Sequence, residues 1–271
     1  MSEVTEKYPL DTSEQRLTVK EPFPRHDTQG DMDENERLRR AMANLAKNMN
    51  RTTGTYLEAC VHCGQCAEAC HYYVQTGDPI YTPIWKLEIF KQAYKRESSP
   101  FAFIYRMLGL KRKVSVEQLG EWQELLYDSC TMCGRCSLIC PMGIDIATLV
   151  GQARHGMFQG GLIPDELHEV AQRAKEEGSP LGATASVFED RADWMADEHD
   201  TEVYVDEGEA DILVAMSSIE IMKYPNAIGA TAKILNALGE KWTFRTEGYE
   251  ATNFGMMAGN VAWQKHATMK L

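Results

Sequence analysis

The residues equipped for chemistry in this chain are its cysteines. All 8 fall in two short runs. The first is Cys60-Val61-His62-Cys63-Gly64-Gln65-Cys66-Ala67-Glu68-Ala69-Cys70, and the second is Cys130-Thr131-Met132-Cys133-Gly134-Arg135-Cys136-Ser137-Leu138-Ile139-Cys140, followed by Pro141. Both read C-x2-C-x2-C-x3-C. Soft thiolates suit tetrahedral iron, and this spacing is that of cubane iron–sulfur sites of the two-cluster ferredoxin kind. Three cysteines at two-residue gaps wrap one face of a cluster, while the fourth points away and reaches the neighbouring cluster. By that rule Cys60, Cys63, Cys66 and Cys140 hold one [4Fe–4S] cluster, and Cys130, Cys133, Cys136 and Cys70 hold the other. The chemistry is one-electron transfer. Gly64 and Gly134 allow the tight backbone path such a loop needs. Because the exchange of fourth ligands ties the runs together through metal, metal and fold are expected to be lost together.

A pair of four-cysteine zinc sites is the competing reading, but zinc needs only C-x2-C pairs and has no use for the regular spacing ending in Cys-Pro. His62 and His71, in and beside the first run, are candidates to bond cluster sulfur or to carry a proton coupled to reduction. Arg135, inside the second run, is a candidate to raise that cluster's potential. The chain has no GxSxG, no GxGxxG after a strand and no P-loop. It therefore looks like a redox relay without an active site of its own.

Composition bounds the setting. The chain has 271 residues, 44% hydrophobic and 25% charged, the balance of a globular protein. A net charge of -12 argues against nucleic acid as a partner. No run approaches the ~18 apolar residues of a membrane helix, so no transmembrane segment is expected. MSEVTEKYPL has neither the basic nor the apolar region of a secretory signal. The expected location is the cytoplasm, where clustered cysteines bind metal rather than pair as disulfides.

The elements that must position the runs are mostly helices. Residues 1–32 are polar and aperiodic and read as an extended arm. Leu38, Met42, Leu45 and Met49 mark a helix over 33–49, and Ile84, Leu87, Phe90 and Tyr94 mark another over 84–97. A short helix is expected over 101–110. Ser115-Val116-Glu117-Gln118 is a capping box that opens a helix to about Tyr127. Helices over 143–154 and 163–177 follow the second run. The 59 residues between Cys70 and Cys130 are thus helical material, unlike the hairpin framework of a small ferredoxin. Segment 86–113 carries eight Lys or Arg against Glu88 and Glu97, a basic patch suited to an acidic partner or an anionic membrane surface. Residues 189–211 hold 11 acids and one base, Arg191, and read as a solvated linker. Beyond it, a strand at 211–216, a helix over 225–238 and a strand at 241–246 make one parallel βαβ unit. The fold class is therefore mainly α. An arm over 1–32 leads into a helical two-cluster ferredoxin domain over 33–185, an acidic linker over 186–210 and a small α/β unit over 211–271.

The two helix-embedded runs, the second ending CPMGIDIATLV, resemble the two-cluster iron–sulfur subunit of heterodisulfide reductase and its relatives over about 55–155. The iron–sulfur subunits of glycolate oxidase and fumarate reductase share a similar cluster domain. Farther on, MSSIEIMKYPNAIGATAKILNALGEKWTF and EATNFGMMAGN resemble the first half of the cysteine-rich domain carried by the disulfide-reducing subunit of heterodisulfide reductase. In that family a cysteine precedes Tyr-Pro and a Cys-Cys-Gly follows the second strand. Here Ser218 stands ahead of Tyr224-Pro225, and Asn253-Phe254-Gly255 takes the later place. The resemblance implies an electron-transfer subunit of a heterodisulfide-reductase-like complex of sulfur metabolism. Its partners would be a flavin-containing protein and a cysteine-rich protein, each like the corresponding subunit of heterodisulfide reductase. The alternative is the iron–sulfur subunit of a quinone-linked dehydrogenase, with the basic patch in peripheral contact with a membrane.

Overall fold

The computed structural model describes residues 32–110, 113–250 and 252–270. The arm expected over 1–32 lies outside them, Met32 apart. In chain order the helices begin with α1 (Glu34–Asn48), α2 (Arg51–Ala59), α3 (Gln65–Glu68), α4 (His71–Thr76), α5 (Pro83–Lys86), α6 (Glu88–Glu97) and α7 (Ala102–Met107). Then come α8 (Val116–Gln123), α9 (Arg135–Leu138), α10 (Ile146–Gln159), α11 (Asp165–Glu177) and α12 (Ala185–His199). Strand β1 (Ile212–Val214), α13 (Ser218–Lys223), α14 (Asn226–Leu238), β2 (Trp242–Phe244), α15 (Phe254–Ala258) and α16 (Val261–Lys270) complete the described chain.

The cysteine runs sit in a helical layer whose backbone is the pair α1 and α10. Their approach is close because Gly156 faces Leu45: a Cβ at Gly156 would lie 2.6 Å from Leu45 Cγ. Asp33 caps α1 by accepting the Glu36 N–H at 2.9 Å, one of the orphan donors of the first turn. The expected capping box is present at α8, with Ser115 Oγ accepting from Gln118 N and Gln118 Oε1 accepting from Ser115 N. The helix expected to run on to Tyr127 instead widens into a single π turn, Glu124–Asp128, directly before the second run. The helix expected over 84–97 is broken between α5 and α6. The Lys86 carbonyl there accepts the Trp122 indole N–H at 2.6 Å, and Trp122 is fully buried. Helix α2 is an addition: nothing in the periodicity of 51–59 announces it.

β1 and β2 pair in parallel with Ile212 opposite Trp242 and Val214 opposite Phe244, and α13 and α14 fill the crossover of the expected βαβ unit. Two of the expected boundaries are corrected. Residues 186–210 are not simply a solvated linker, because α12 occupies 185–199 and buries Phe188, Ala192 and Met195. Phe188 and Met195 belong to the same core as Trp242 and Phe244. Those apolar residues follow a helical stripe, but eleven acids on the other faces and in the segment beyond mask it. Nor do residues 211–271 form one separate unit. Phe254, Ala258 and Trp263, on α15 and α16, pack against the first core. Tyr127 Oη locks that return at the carbonyls of Arg154 and Ala258, both at 3.1 Å.

Phe188→Ala therefore empties a core position rather than altering a linker. It is expected to cost about 3–5 kcal/mol, the usual range for a buried aromatic, read as a lower urea midpoint of the folded protein. Substitution of exposed Glu189 beside it is expected to leave the midpoint within ~0.5 kcal/mol of wild type.

Candidate iron–sulfur site

The two runs share one backbone path. His62 and Met132, at the same place in each C-x2-C, have positive φ values of 56° and 55°, and Gly64 and Gly134 follow at 84° and 74°. Left-handed geometry at a non-glycine residue costs on the order of 1–3 kcal/mol. That it recurs at two matched positions marks a purposeful loop. Such a loop turns successive N–H groups inward, forming the concavity that holds anionic sulfide and thiolate. A short helix then carries the third cysteine of each run, α3 in the first and α9 in the second.

Each run's last cysteine sits with the other run's first three. Cys60, Cys63, Cys66 and Cys140 line one space, walled by Leu57, Ile84, Leu87 and Ile144. Cys70, Cys130, Cys133 and Cys136 line a second. Ile146 lines both, so the spaces are neighbours. Most of the other residues around the first space are apolar, whereas Lys86 and Ser129 join the wall of the second. Among the described residues no three His, Cys, Asp or Glu side chains gather tightly enough for a single metal ion. Each sulfur quartet instead surrounds a volume, the disposition that suits the corner irons of a cubane.

Titration behaviour reflects the crowding of sulfurs within and between the two spaces. Burial, then the nearby Cys60, Cys140 and Cys63, push the Cys66 thiol from 9.0 up to about 11. Burial, then Cys130, Cys133 and Cys66, push Cys136 up to about 11. Like charges crowded in a dry space disfavour the thiolate. Bound iron would supply the positive charge that lets all four ionise.

Polar bonds fix the second run to its helix. Asp145 caps α10 by accepting from Thr148 N at 3.0 Å, and it also accepts from Ser137 Oγ at 3.1 Å. Ser137 Oγ in turn accepts from Ala147 N at 3.0 Å. These bonds hold the Asp145 carboxyl below its ordinary value, the Thr148 hydroxyl contributing most.

The candidate tuning residues divide differently from expectation. His62 lies on the rim, 2.8 Å from Lys91 Nζ, and the His71 ring leans on Tyr72 with centroids 4.5 Å apart. Arg135 is exposed and does not line the second space. Two other cations are buried instead, Lys86 on the lining of that space and Arg154 behind it at the Cys130 carbonyl. Lys86, 2% exposed, lines the second space, and its Nζ donates to the Ser129 carbonyl and lies 3.9 Å from Cys70 Sγ. Arg154, 3% exposed, donates to the carbonyls of Leu126, Cys130 and Met257. Both stand where an apolar residue belongs by helical spacing, Arg154 between Val150 and Phe158 and Lys86 four before Phe90. A charge on an apolar stripe was the signal available in the sequence.

The same segment is shared with known proteins. A family model described as 4Fe-4S dicluster domain matches residues 55–144, which span both runs. This segment is a 4Fe-4S dicluster domain. The chain is 30% identical over 220 residues to an Hdr-like menaquinol oxidoreductase iron-sulfur subunit 2 of Archaeoglobus fulgidus, covering 76% of this chain and 39% of that protein. The Hdr-like menaquinol oxidoreductase iron-sulfur subunit of Archaeoglobus profundus is 29% identical over 218 residues, with the same coverage. One of the subunits of the dihydromethanophenazine:CoB–CoM heterodisulfide reductase of Methanosarcina mazei is 24% identical over 208 residues, covering 74% of this chain and 46% of that protein. The chain is thus an Hdr-like iron–sulfur protein that spans about two fifths of the length of the curated relatives it matches. No solved structure matches it.

Proposed function

We propose that this chain is the electron-transfer subunit of an Hdr-like oxidoreductase and carries two [4Fe–4S] clusters. Cys60, Cys63, Cys66 and Cys140 ligate the first, and Cys130, Cys133, Cys136 and Cys70 ligate the second. The observation that carries the proposal is the lining of two adjoining spaces by three cysteines of one run and the fourth of the other. The clusters supply one-electron capacity. The chain supplies thiolate ligands, inward N–H groups, apolar walls that exclude water, and a separation small enough that both spaces share Ile146. Substrate chemistry is assigned to two partners on the cytoplasmic side, a flavin-containing protein and a cysteine-rich protein of the disulfide-reducing kind. Ser218 and Asn253, where the disulfide-reducing type of cysteine-rich domain places cysteines, supply no thiolate, so no disulfide-reducing centre is assigned to residues 211–271.

A second source of electrons, a quinol in the membrane, is favoured by one surface. Phe101, Phe103, Met107 and Leu110 are each at least 60% exposed beside Arg106 and Lys113, a combination that suits the interface of an anionic bilayer. Two relatives are also named for menaquinol. No helix among the described residues is long and apolar enough to cross a membrane, so the contact would be peripheral or made through another protein of the complex.

Anaerobically purified chain is expected to hold ~8 iron and as many acid-labile sulfides, four per cubane. Zinc in place of iron would end the proposal. Cys70→Ser is expected to deplete the cluster of the 130–136 run and Cys140→Ser that of the 60–66 run, read by low-temperature EPR. The opposite pattern would overturn the ligand sets. For the membrane reading, flotation with anionic vesicles should fall for Phe103→Asp and Arg106→Glu, and flotation that is unchanged in both variants would sink it.

A further inference from the structure

We infer that Arg154 and Lys86 make the second cluster, held by Cys70, Cys130, Cys133 and Cys136, the higher-potential half of the pair, so that an electron entering the chain settles there. This rests on the two-cluster reading above and adds to it which half is the electron sink.

The two halves match in backbone and differ in charge. At the first space the cation on the lining is Lys91, which is only half-buried and sits 2.8 Å from His62 at the solvent rim. Water and salt screen a charge so placed. Beside the second sulfur group two cations are removed from water, Lys86 on the lining of the space and Arg154 behind Cys130. The Arg154 guanidinium lies over the Tyr127 ring at 5.0 Å, and its bonds go to main-chain oxygens. One of these is the carbonyl of Cys130, at 2.5 Å. The Lys86 ammonium lies 3.9 Å from Cys70 Sγ and 5.1 Å from the centre of the Tyr72 ring.

Carbonyls and rings are dipoles and quadrupoles. They solvate a cation without neutralising it. No carboxylate forms an ion pair with Arg154 or Lys86 among the described residues. Asp128 is close enough to act on Arg154 electrostatically and offsets part of its field. Buried charges of one sign without partners are costly, and arginine has no neutral form to fall back on. The missing counter-charge is what an anionic thiolate-ligated cluster brings. A reduced cluster carries one negative charge more than an oxidised one, so fixed cations beside it favour reduction. The low dielectric around Lys86 and Arg154 strengthens that preference relative to the rim of the first site. The electron count is one lost by the first half for one gained by the second.

The test is a redox titration of the cluster-loaded full chain with dithionite and mediators, followed by EPR. Lys86→Met keeps the length of the side chain and removes its charge. It is expected to lower the higher of the two midpoint potentials and to leave the lower one in place. The electron-sharing ratio between the clusters should move about tenfold or more, ~59 mV for a one-electron couple. Lys86→Arg should restore the wild-type value, which loss of packing alone would not allow. Asp128→Asn should move the same cluster the other way. Arg154→Lys keeps the charge and is expected to keep the potential, while Arg154→Met, if it loads iron, should lower it. If Arg154→Met fails to load, the Lys86 and Asp128 variants still decide. Iron-loaded variants with unchanged potentials, or a shift in the lower potential, would overturn the charge assignment while leaving two clusters in place. A wild-type chain without iron would instead remove the two-cluster reading itself.

Discussion

The arrangement on which the rest depends is the crossing of the fourth sulfurs. Cys140 has to come home to a loop 74 to 80 residues earlier, and Cys70 has to wait for one 60 to 66 residues later. Everything between the runs serves that meeting. The Trp122 indole takes the Lys86 carbonyl and turns α5 into α6. The π turn at Glu124–Asp128 releases the chain into the second loop. Asp145 and Ser137 then tie that loop to the start of α10. Ile146, the first residue of α10, lines both sulfur groups, so the same helix start supports both.

The likeness between the runs stops at the backbone. His62 and Met132 share a left-handed conformation, and Gly64 and Gly134 share another, so the two loops follow the same backbone path. What surrounds the loops differs. One half opens toward water past Val61 and Met142, both exposed. The other is lined by His71 and Tyr72 of α4 and by Pro83 and Lys86 of α5, and Arg154 is buried behind Cys130. Matched loops thus sit in unlike surroundings.

Around Ser218 buried polar groups satisfy one another. Ser218 is buried and bonds Ser179 Oγ at 2.8 Å and Glu250 Oε2 at 2.5 Å. Glu250 Oε2 also accepts the Ser218 N–H. A satisfied polar cluster therefore occupies that position, and it joins α13, the segment before α12 and the segment that follows β2. Asn253 caps α15 and reaches the Gln264 carbonyl at 3.0 Å, helping α15 and α16 fold back toward Arg154 and Tyr127.

The cysteine spacing, the capping box at Ser115, the helical stripes and the parallel strand pair were legible in the sequence because each is set by local periodicity or by residues a few positions apart. The same holds for the left-handed glycines, whose need follows from the loop itself. The tertiary structure alone decided that α12 is core and not linker, that α15 and α16 return to the first core, and that the cations beside the second sulfur group are Lys86 and Arg154 rather than Arg135. Those outcomes depend on which faces meet across distances of 28 to 131 residues. Composition does not record this, since a buried lysine and a solvated one read alike until the chain is folded around them.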